Sequence, residues 1–418
     1  MARLVQKFGG TSVADVQKIK KAAQITVAAA SEGHEVTTVI SAMGHTTDHL
    51  IDLAEQIWQD PHAKSAREMD LLMATGEQVS IALFTMALQA LGVSARSFTG
   101  AQAGIITENR HGTARIQEVF PDKLEATLSR GEIAVVAGFQ GVTESHELTT
   151  LGRGGSDTTA VALAAALGAD RCDIYTDVDG VFTADPRIIS QARCLSTISY
   201  EEMLELAATG AQVMNARSVE LAMDNHVPIR VRSTFTPENP GTLITHRVAS
   251  PEYTIAGIAL DMNSAQIKLK SLSQIDAAQP LEGVAALFTR LNELGIQTDM
   301  VMAMKREDEP SSELIFTLEK SSLPRVQKLV EALATSLGNP LMQVESDIAK
   351  VSVVGRRLTS RPEVVASVFE CLHEAKIPVQ MVATGDMRVS ILMPARYGRD
   401  AVKLIHAKFN LEEGTINV

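Results

Sequence analysis

Thr149-Thr150-Leu151-Gly152-Arg153-Gly154-Gly155-Ser156-Asp157-Thr158-Thr159 is the stretch from which the fold of this 418-residue chain is read. Glycines 152, 154 and 155 bracket one arginine, and an Ala-rich run to Leu167 follows, stopped by Gly168. Ser156 or Asp157 is suited to cap that run as a helix, and Gly168 suits a left-handed stop. The glycine loop therefore meets a helix N-terminus, where unpaired N–H groups attract anions. Glycine lets backbone approach a phosphate or carboxylate closely, and Arg153 offers a planar, permanently charged fork. Taken alone, the stretch has a lesser, bland reading as a tight strand-to-helix turn.

Working outward, a second glycine turn lies at the N-terminus. Leu4 to Phe8 reads as a strand, Gly9-Gly10-Thr11-Ser12 follows, and Val13 to Ala30 has helical spacing. Lys7 stands just before these glycines, so a cation and several backbone N–H groups converge. The lysine precedes the glycines, which excludes the Walker-type loop, and no Gly-x-Gly-x-x-Gly dinucleotide motif is present. Val36 to Ser41 is a β-branched run expected in a buried parallel strand, ending in the polar loop Ala42 to Asp48. Leu50 to Trp58 and Ser65 to Leu91 read as helices, the second interrupted at Thr75-Gly76-Glu77. Glu77, an acid in an apolar stretch, is suited to hold an amino group. Ile133 to Ala137 is a strand followed by Gly138-Phe139-Gln140-Gly141, while Ala95 to Phe98, Gly104 to Ile106 and Ile116 to Phe120 are ambiguous. Asp173 to Thr176 makes another strand, opening into Asp177-Val178-Asp179-Gly180, which lacks the glutamate and flanking helices of a calcium loop. Strand, loop and helix alternate to about residue 233, the pattern of a parallel sheet with helices on both faces. A late strand at Val227 to Arg232 precedes the turn-rich boundary Thr236 to Gly241.

The C-terminal part repeats itself. Val284-Ala285-x-x-Phe288-x-x-Leu291 returns 81 residues later as Val365-Ala366-x-x-Phe369-x-x-Leu372, and the match runs on through Met300-Val301 and Met381-Val382. That is a duplicated small domain rather than a solenoid. The first copy reads strand 266–272, helix 281–294, strands 297–303 and 313–318, helix 323–336 and strand 341–344, the ferredoxin-like βαββαβ plan.

Composition bounds the function. A length of 418 residues implies two or three domains. A formal charge of −12 opposes a nucleic-acid partner or a membrane surface, both of which require clustered Lys and Arg. With 45% hydrophobic, 21% charged and only 4% aromatic residues, the core is aliphatic, as in many α/β enzymes. No uninterrupted apolar segment long enough to cross a bilayer is read, and the N-terminus enters a strand pattern directly, so a cytoplasmic protein is expected. Cys172, Cys194 and Cys371 are widely separated, which indicates neither a disulfide framework nor a zinc site.

Lys7-Phe8-Gly9-Gly10-Thr11-Ser12-Val13, Ser41-Ala42-Met43-Gly44, Thr75-Gly76-Glu77, Gly138-Phe139-Gln140-Gly141, Gly152-Arg153-Gly154-Gly155-Ser156-Asp157 and Thr176-Asp177-Val178-Asp179-Gly180-Val181 together resemble the ordered motif series of aspartate kinases. The duplicated C-terminal half is similar to the paired ACT domains of that family. The resemblance implies transfer of the γ-phosphoryl of ATP to the side-chain carboxylate of L-aspartate, giving 4-phospho-L-aspartate, the entry step to lysine, threonine and methionine. It implies an amino-acid-kinase domain at residues 1–245 and ACT domains at 262–345 and 346–418, the stretch 252–261 being a further strand available to the last. Lys7 would serve the phosphoryl end and Asp157 would orient it. Gly9, Gly10, Thr11, Ser12, Gly154 and Gly155 would bind phosphate. Arg153 would clamp the α-carboxylate and Glu77 the α-ammonium, with Ser41, Thr47, Phe139 and Ser156 completing the pocket. The nucleotide would lie along Thr176, Asp177, Phe182, Asp185, Arg187 and Gln212, with Mg²⁺ bridging phosphates and no metal ligands from the protein. A homodimer or larger homo-oligomer joined through the ACT domains is implied.

Departures from the family pattern are informative. Gln212 stands where aspartate kinases commonly carry a lysine, and Asp299-Met300-Val301-Met302-Ala303-Met304 replaces an Asp-Met-Val-x-Gln-Asn run. The usual Pro-Gly turn of the ACT domains is not visible around Ser271 to Gly283, and reads Pro362-Glu363 in the second copy. Weak or absent inhibition by lysine and threonine is therefore expected. The alternatives are a kinase of the same fold acting on acetylglutamate, glutamate, carbamate or UMP, and a non-catalytic amino-acid-sensing subunit.

Overall fold

The computed structural model describes residues 2–58, 61–211, 213–246, 255–270, 279–305 and 312–412. Gln212 and most of the segment around Ser271 lie outside the described residues. The chain divides into two compact units. The first comprises Met1–Thr183, Arg193–Ala208 and Gln212–Glu252, and the second Ala184–Ala192, Thr209–Ala211 and Tyr253–Val418.

The first unit is built on an eight-stranded sheet. Its order is Thr197–Ser199, Thr242–Thr245, Ile229–Ser233, Arg171–Thr176, Arg3–Phe8, Glu35–Ile40, Ile133–Ala137, Ala95–Phe98. The six strands from Ile229–Ser233 onward are mutually parallel, and Thr242–Thr245 pairs antiparallel to them. Because side chains alternate across a strand, Gln6 and Phe8 point one way and Lys7 the other. Phe8 packs with Ile40, Val135 and Tyr175 against Ile19 and Ala22 of the helix Val16–Ser31 and Phe84 and Leu88 of the helix Ala66–Ala90. Lys7 meets Asp157 of the helix Gly155–Ala166 on the opposite face. A smaller sheet orders Ile116–Val119, Ile105–Thr107, Gln140–Val142 and Leu148–Thr150. Of the three ambiguous segments, Ala95–Phe98 thus joins the main sheet and the other two the small one.

Three expectations are corrected. The helix Ala66–Ala90 runs unbroken through Thr75-Gly76-Glu77. Gly76 is needed there, since a Cβ would come within 2.9 Å of the Ala42 Cβ. This helix is long and apolar enough to cross a membrane by length and composition, although no such span is apparent in the sequence. Half of that window is buried within the protein, and its inward face carries Asp70, Glu77 and Phe84, the pattern of a core helix. Gly155–Ala166 is capped by neither Ser156 nor Asp157 but by Gly154, at φ 71° with no side-chain cap. Gly168, at φ 58°, does supply the left-handed stop. Finally, the helix read from Val13 begins at Val16 after a 3-10 turn at Gly10–Val13, with the Asp15 carboxylate accepting from Lys18 N–H at 2.9 Å.

The second unit holds two four-stranded sheets. One orders Thr298–Lys305, Ser312–Glu319, Ser264–Lys270 and Leu341–Glu345, with Leu287, Leu291, Val326 and Val330 of its two helices packed on Ile267 and Phe316. The other orders Ile255–Asp261, Ile348–Gly355, Arg388–Pro394 and Met381–Thr384. Its outer strand is the segment that precedes the first copy, antiparallel to Ile348–Gly355. The buried positions correspond in the two copies, Leu287 and Leu291 matching Val368 and Leu372, while Phe369, the counterpart of the partly buried Phe288, is 42% exposed.

Met300 and Ile315 of the first sheet cluster with Ile348, Met381 and Leu392 of the second. Beside them Asp299 receives Lys350 Nζ at 2.7 Å and Arg388 Nη2 at 2.9 Å. Burial raises the Asp299 pKa, but the two cations outweigh it and hold the group below its ordinary value. Lys350 is buried, and without Asp299 it keeps only the longer contact to Asp261 Oδ2 at 3.8 Å. Asp299→Ala should therefore destabilise this unit by roughly 2–4 kcal/mol, read in urea unfolding followed by a probe placed within residues 255–412.

Candidate active site

The site is assembled at the C-terminal ends of four neighbouring parallel strands. One further hydrogen bond extends each ladder into a loop: Gly9 N–H to Tyr175 O at 3.1 Å, Ser41 N–H to Phe8 O at 3.1 Å, and Gly138 N–H to Ile40 O at 3.0 Å. Lys7, Ser41, Phe139 and Thr176 are thereby placed at one sheet edge, where open α/β folds bind ligands.

Lys7 Nζ lies 2.6 Å from Asp157 Oδ1, and both side chains are 11% exposed. Gly9 lies beneath the ammonium, a Cβ there being 3.4 Å from Nζ. Gly10 packs on the next loop so closely that a Cβ would be 3.0 Å from Ala42 O, and Gly44 N–H donates to Gly10 O at 3.0 Å. Gly138 would put a Cβ 2.7 Å from Ser156 Oγ, and Gly155 one 2.9 Å from Phe139 Cδ2. Phe139 itself is at φ 70°, a region costly for a side chain with a Cβ. The first turn of Gly155–Ala166 is thus pressed against the sheet edge beside Lys7, its Gly155 and Asp157 amides donating to Gly152 O at 2.9 Å and Gly154 O at 3.1 Å.

Ser12 differs from the expectation of a free phosphate ligand. Its hydroxyl accepts from Thr234 Oγ1 at 2.7 Å and donates to Tyr175 O at 3.5 Å, so it ties the turn to the sheet. Thr11 is exposed. Arg153 is exposed and its guanidinium makes no ion pair among the described residues, while its carbonyl accepts from Asn215 Nδ2 at 2.9 Å. Asn215 escaped the sequence reading. It caps the helix Ala216–Asp224 and packs so tightly on the loop that a Cβ on Gly154 would be 2.4 Å away.

Glu77 is 3% exposed. Its Oε1 accepts from Ala42 N–H at 3.0 Å, and its Oε2 is buried without a partner. Burial raises its pKa to about 7, partly opposed by the Ala42 N–H. A buried carboxylate with one oxygen unsatisfied is set to receive a cationic donor. Ser41 is half-buried two residues from Met43, and Thr47 lies in the first turn of Thr46–Ile57.

Of the nucleotide residues, Thr176 Oγ1 donates to Asp177 Oδ1 at 3.2 Å, and Phe182 bridges to Cys194. Asp185 and Arg187 lie in Ala184–Ala192, which groups with the second unit. They pair with each other, Nη2 to Oδ2 at 2.8 Å, and the guanidinium holds the Asp185 pKa below its ordinary value.

A lysine–aspartate pair between two glycine loops on a parallel sheet edge defines a kinase of the amino acid kinase type, and residues 2–233 match the model of the amino acid kinase family. Residues 351–409 match an ACT domain. The chain is 44% identical to the aspartokinase of Thermus thermophilus over 99% of its own length and 100% of that protein's. It is 44% identical to the aspartokinase of Geobacillus stearothermophilus, covering 99% of this chain and 98% of that one. Among solved structures, E. coli aspartokinase III in complex with aspartate and ADP superposes with a TM-score of 0.82 at 27% identity, covering 97% and 99% of the two chains. The chain belongs to the aspartokinase family. It is an aspartate kinase, which phosphorylates the side-chain carboxylate of L-aspartate.

The Glu77 pKa leads to an expected trade between stability and binding. A carboxyl whose folded pKa lies near 7 binds more protons when folded than when unfolded between pH 4.5 and 7, so it destabilises the fold as pH rises through that window. The loss approaches about 3 kcal/mol above pH 7. Glu77→Gln should therefore gain stability relative to the parent between pH 5 and pH 8 in thermal melts. It should also bind aspartate at least about tenfold less tightly, because an amide offers an ammonium no charge. A parent-to-variant stability gap that is flat across pH would show that Glu77 titrates normally.

Proposed function

We propose the following division of roles in the transfer of the γ-phosphoryl of ATP to L-aspartate. The unpartnered Glu77 Oε2 beside the Ala42 loop carries the substrate side of the reading: it receives the α-ammonium, while the unpaired guanidinium of Arg153 clamps the α-carboxylate. Ser41, Thr47, Phe139 and Ser156 line the space between. These contacts leave the side-chain carboxylate free to attack. One of its oxygens forms the new bond to the γ-phosphorus as the bond from that phosphorus to the leaving ADP oxygen breaks. An ionised carboxylate requires no general base, so catalysis consists of alignment and charge stabilisation.

Lys7 supplies that charge at the transferring phosphoryl, and Asp157, at 2.6 Å, fixes the direction of the ammonium rather than taking a proton. The amides of Gly10, Thr11 and Gly154 cradle the phosphates, with Ser12 holding the turn, whereas those of Gly9 and Gly155 are spent on Tyr175 O at 3.1 Å and Gly152 O at 2.9 Å and shape the loops instead. Thr176, Asp177, Phe182, Asp185 and Arg187 are the proposed nucleotide residues, with Gln212 in the position usual for a lysine. Among the described residues no group of three His, Cys, Asp or Glu side chains is placed to hold a metal ion. Mg²⁺ would be carried by the nucleotide phosphates, where it would neutralise their charge. The three free cysteines fit a reducing, cytoplasmic setting.

A hydroxamate assay with ATP, Mg²⁺ and L-aspartate reads the product directly. Lys7→Ala should lower kcat on the order of a hundredfold or more. Arg153→Ala should act mainly on the aspartate KM, because its partner is a carboxylate that does not react. An unchanged aspartate KM in the arginine variant would remove Arg153 from the pocket.

For control, we propose a homo-oligomer joined through the two C-terminal sheets, with residues 1–245, 262–345 and 346–418 as its domains and Ile255–Asp261 as the outer strand of the last. Met304, 37% exposed, replaces an amide side chain of the family pattern. Leaving an effector's polar group unpaired costs a few kcal/mol, roughly two orders of magnitude in affinity. Calorimetric titration should accordingly detect weak or no binding of lysine and threonine, and tight binding of either with inhibition would refute the reading.

A further inference from the structure

Asp70 lies on the same helix as Glu77, seven residues earlier, which places both on one face about 10 Å apart along the axis. It is completely buried. Unlike Glu77, both of its oxygens are engaged. Gly112 N–H lies 3.0 Å from each, Thr150 Oγ1 donates to Oδ1 at 2.6 Å, and His111 Nδ1 lies 2.9 Å from Oδ2. Gly112 N–H and the Thr150 hydroxyl donate to it and His111 meets it through a ring nitrogen, a set of contacts on both oxygens that an asparagine, with one acceptor oxygen, does not reproduce.

Those donors belong to two segments that converge on Arg153. Thr150 ends the strand Leu148–Thr150, three residues before the arginine. His111 and Gly112 belong to a strap that continues to Ala114, whose N–H donates to Thr150 O at 2.9 Å. The strap lies against the glycine loop itself, because a Cβ on Gly152 would be 3.3 Å from Gly112 O. One carboxylate therefore fastens the helix that carries Glu77 to the loop that carries Arg153.

We propose that Asp70 is a positioning residue that sets the spacing between Glu77 and Arg153, and so tunes recognition of the α-amino-acid end of the substrate without touching it. The inference rests on the roles proposed above for those two residues. Loosening the tether lets the Arg153 loop move relative to Glu77, which weakens the grip on aspartate. Asp157 follows the same loop, but its helix is fastened independently of Asp70, Thr159 Oγ1 accepting from Phe139 N–H at 3.1 Å, so the larger effect falls on aspartate binding rather than on the chemical step or ATP.

Asp70→Asn should raise the aspartate KM tenfold or more while kcat at saturating aspartate and the ATP KM stay within about twofold of the parent. Thr150→Val, which deletes one hydroxyl and leaves the carboxylate, should shift the same parameter in the same direction by less, and it is the decisive variant if Asp70→Asn does not fold. Each change is then repeated in the Arg153→Ala background, where its effect on the aspartate KM should largely vanish. If Arg153→Ala alone leaves the aspartate KM unchanged, the assignment of Arg153 fails and the tether has nothing to position. If Arg153→Ala acts as expected but the Asp70 and Thr150 effects are fully additive with it, or fall on kcat and the ATP KM equally, or are absent, Asp70 is a structural buried acid and the proposal is overturned.

Discussion

The Lys7–Asp157 ion pair is the interaction on which the catalytic unit depends. Both groups are nearly removed from water, and each is tolerable there only because the other is present at 2.6 Å. One comes from a central strand and the other from the first turn of a helix on one face of the sheet. Their meeting therefore requires the helix N-terminus to sit directly over the C-terminal edge of that strand. Once that constraint is satisfied, the helix start and the Gly9-Gly10 turn lie beside the ammonium, with a Cβ on Gly9 only 3.4 Å from Lys7 Nζ.

Bringing three loops that close together is possible only where side chains are absent. Gly10 clears Ala42 O, Gly138 clears Ser156 and Gly155 clears Phe139, each at a separation that a Cβ would violate or crowd. Phe139 is the exception that carries strain, with φ at 70°. A non-glycine residue persists in that region when its surroundings over-determine it. Here Leu151 N–H donates to its carbonyl at 2.9 Å, and its own N–H donates to Thr159 Oγ1 at 3.1 Å.

One helix shows how structure and function divide between residues of the same kind. Asp70 has every oxygen satisfied and acts as a fastening. Glu77, two turns on, is left with an oxygen unpaired and a pKa raised by burial to about 7, an arrangement that destabilises the fold when the carboxyl is charged. The second unit uses the same rule in reverse, since Asp299 is surrounded by Lys350 and Arg388 and is spent on joining two sheets.

The sequence by itself determined the parallel-sheet class, the order of the glycine loops and the βαββαβ plan of the first C-terminal copy, because each rests on local chemistry: hydrophobic period, turn residues and charge beside glycine. Lys7, Glu77, Arg153 and Asp157 could be singled out for the same reason. Tertiary structure alone decided what each is joined to. Asn215 beneath the Arg153 loop, Thr234 on Ser12 and His111 on Asp70 are contacts across 62, 222 and 41 residues, and no spacing rule reaches that far. The unbroken helix Ala66–Ala90 likewise depends on packing, since Gly76 reads as a break until Ala42 is seen lying against it. Ile255–Asp261 pairs with Ile348–Gly355, a contact that no spacing in the chain gives, although the family resemblance offered residues 252–261 to the last domain. Local propensity is written residue by residue, whereas a contact exists only between segments that the fold has already brought together.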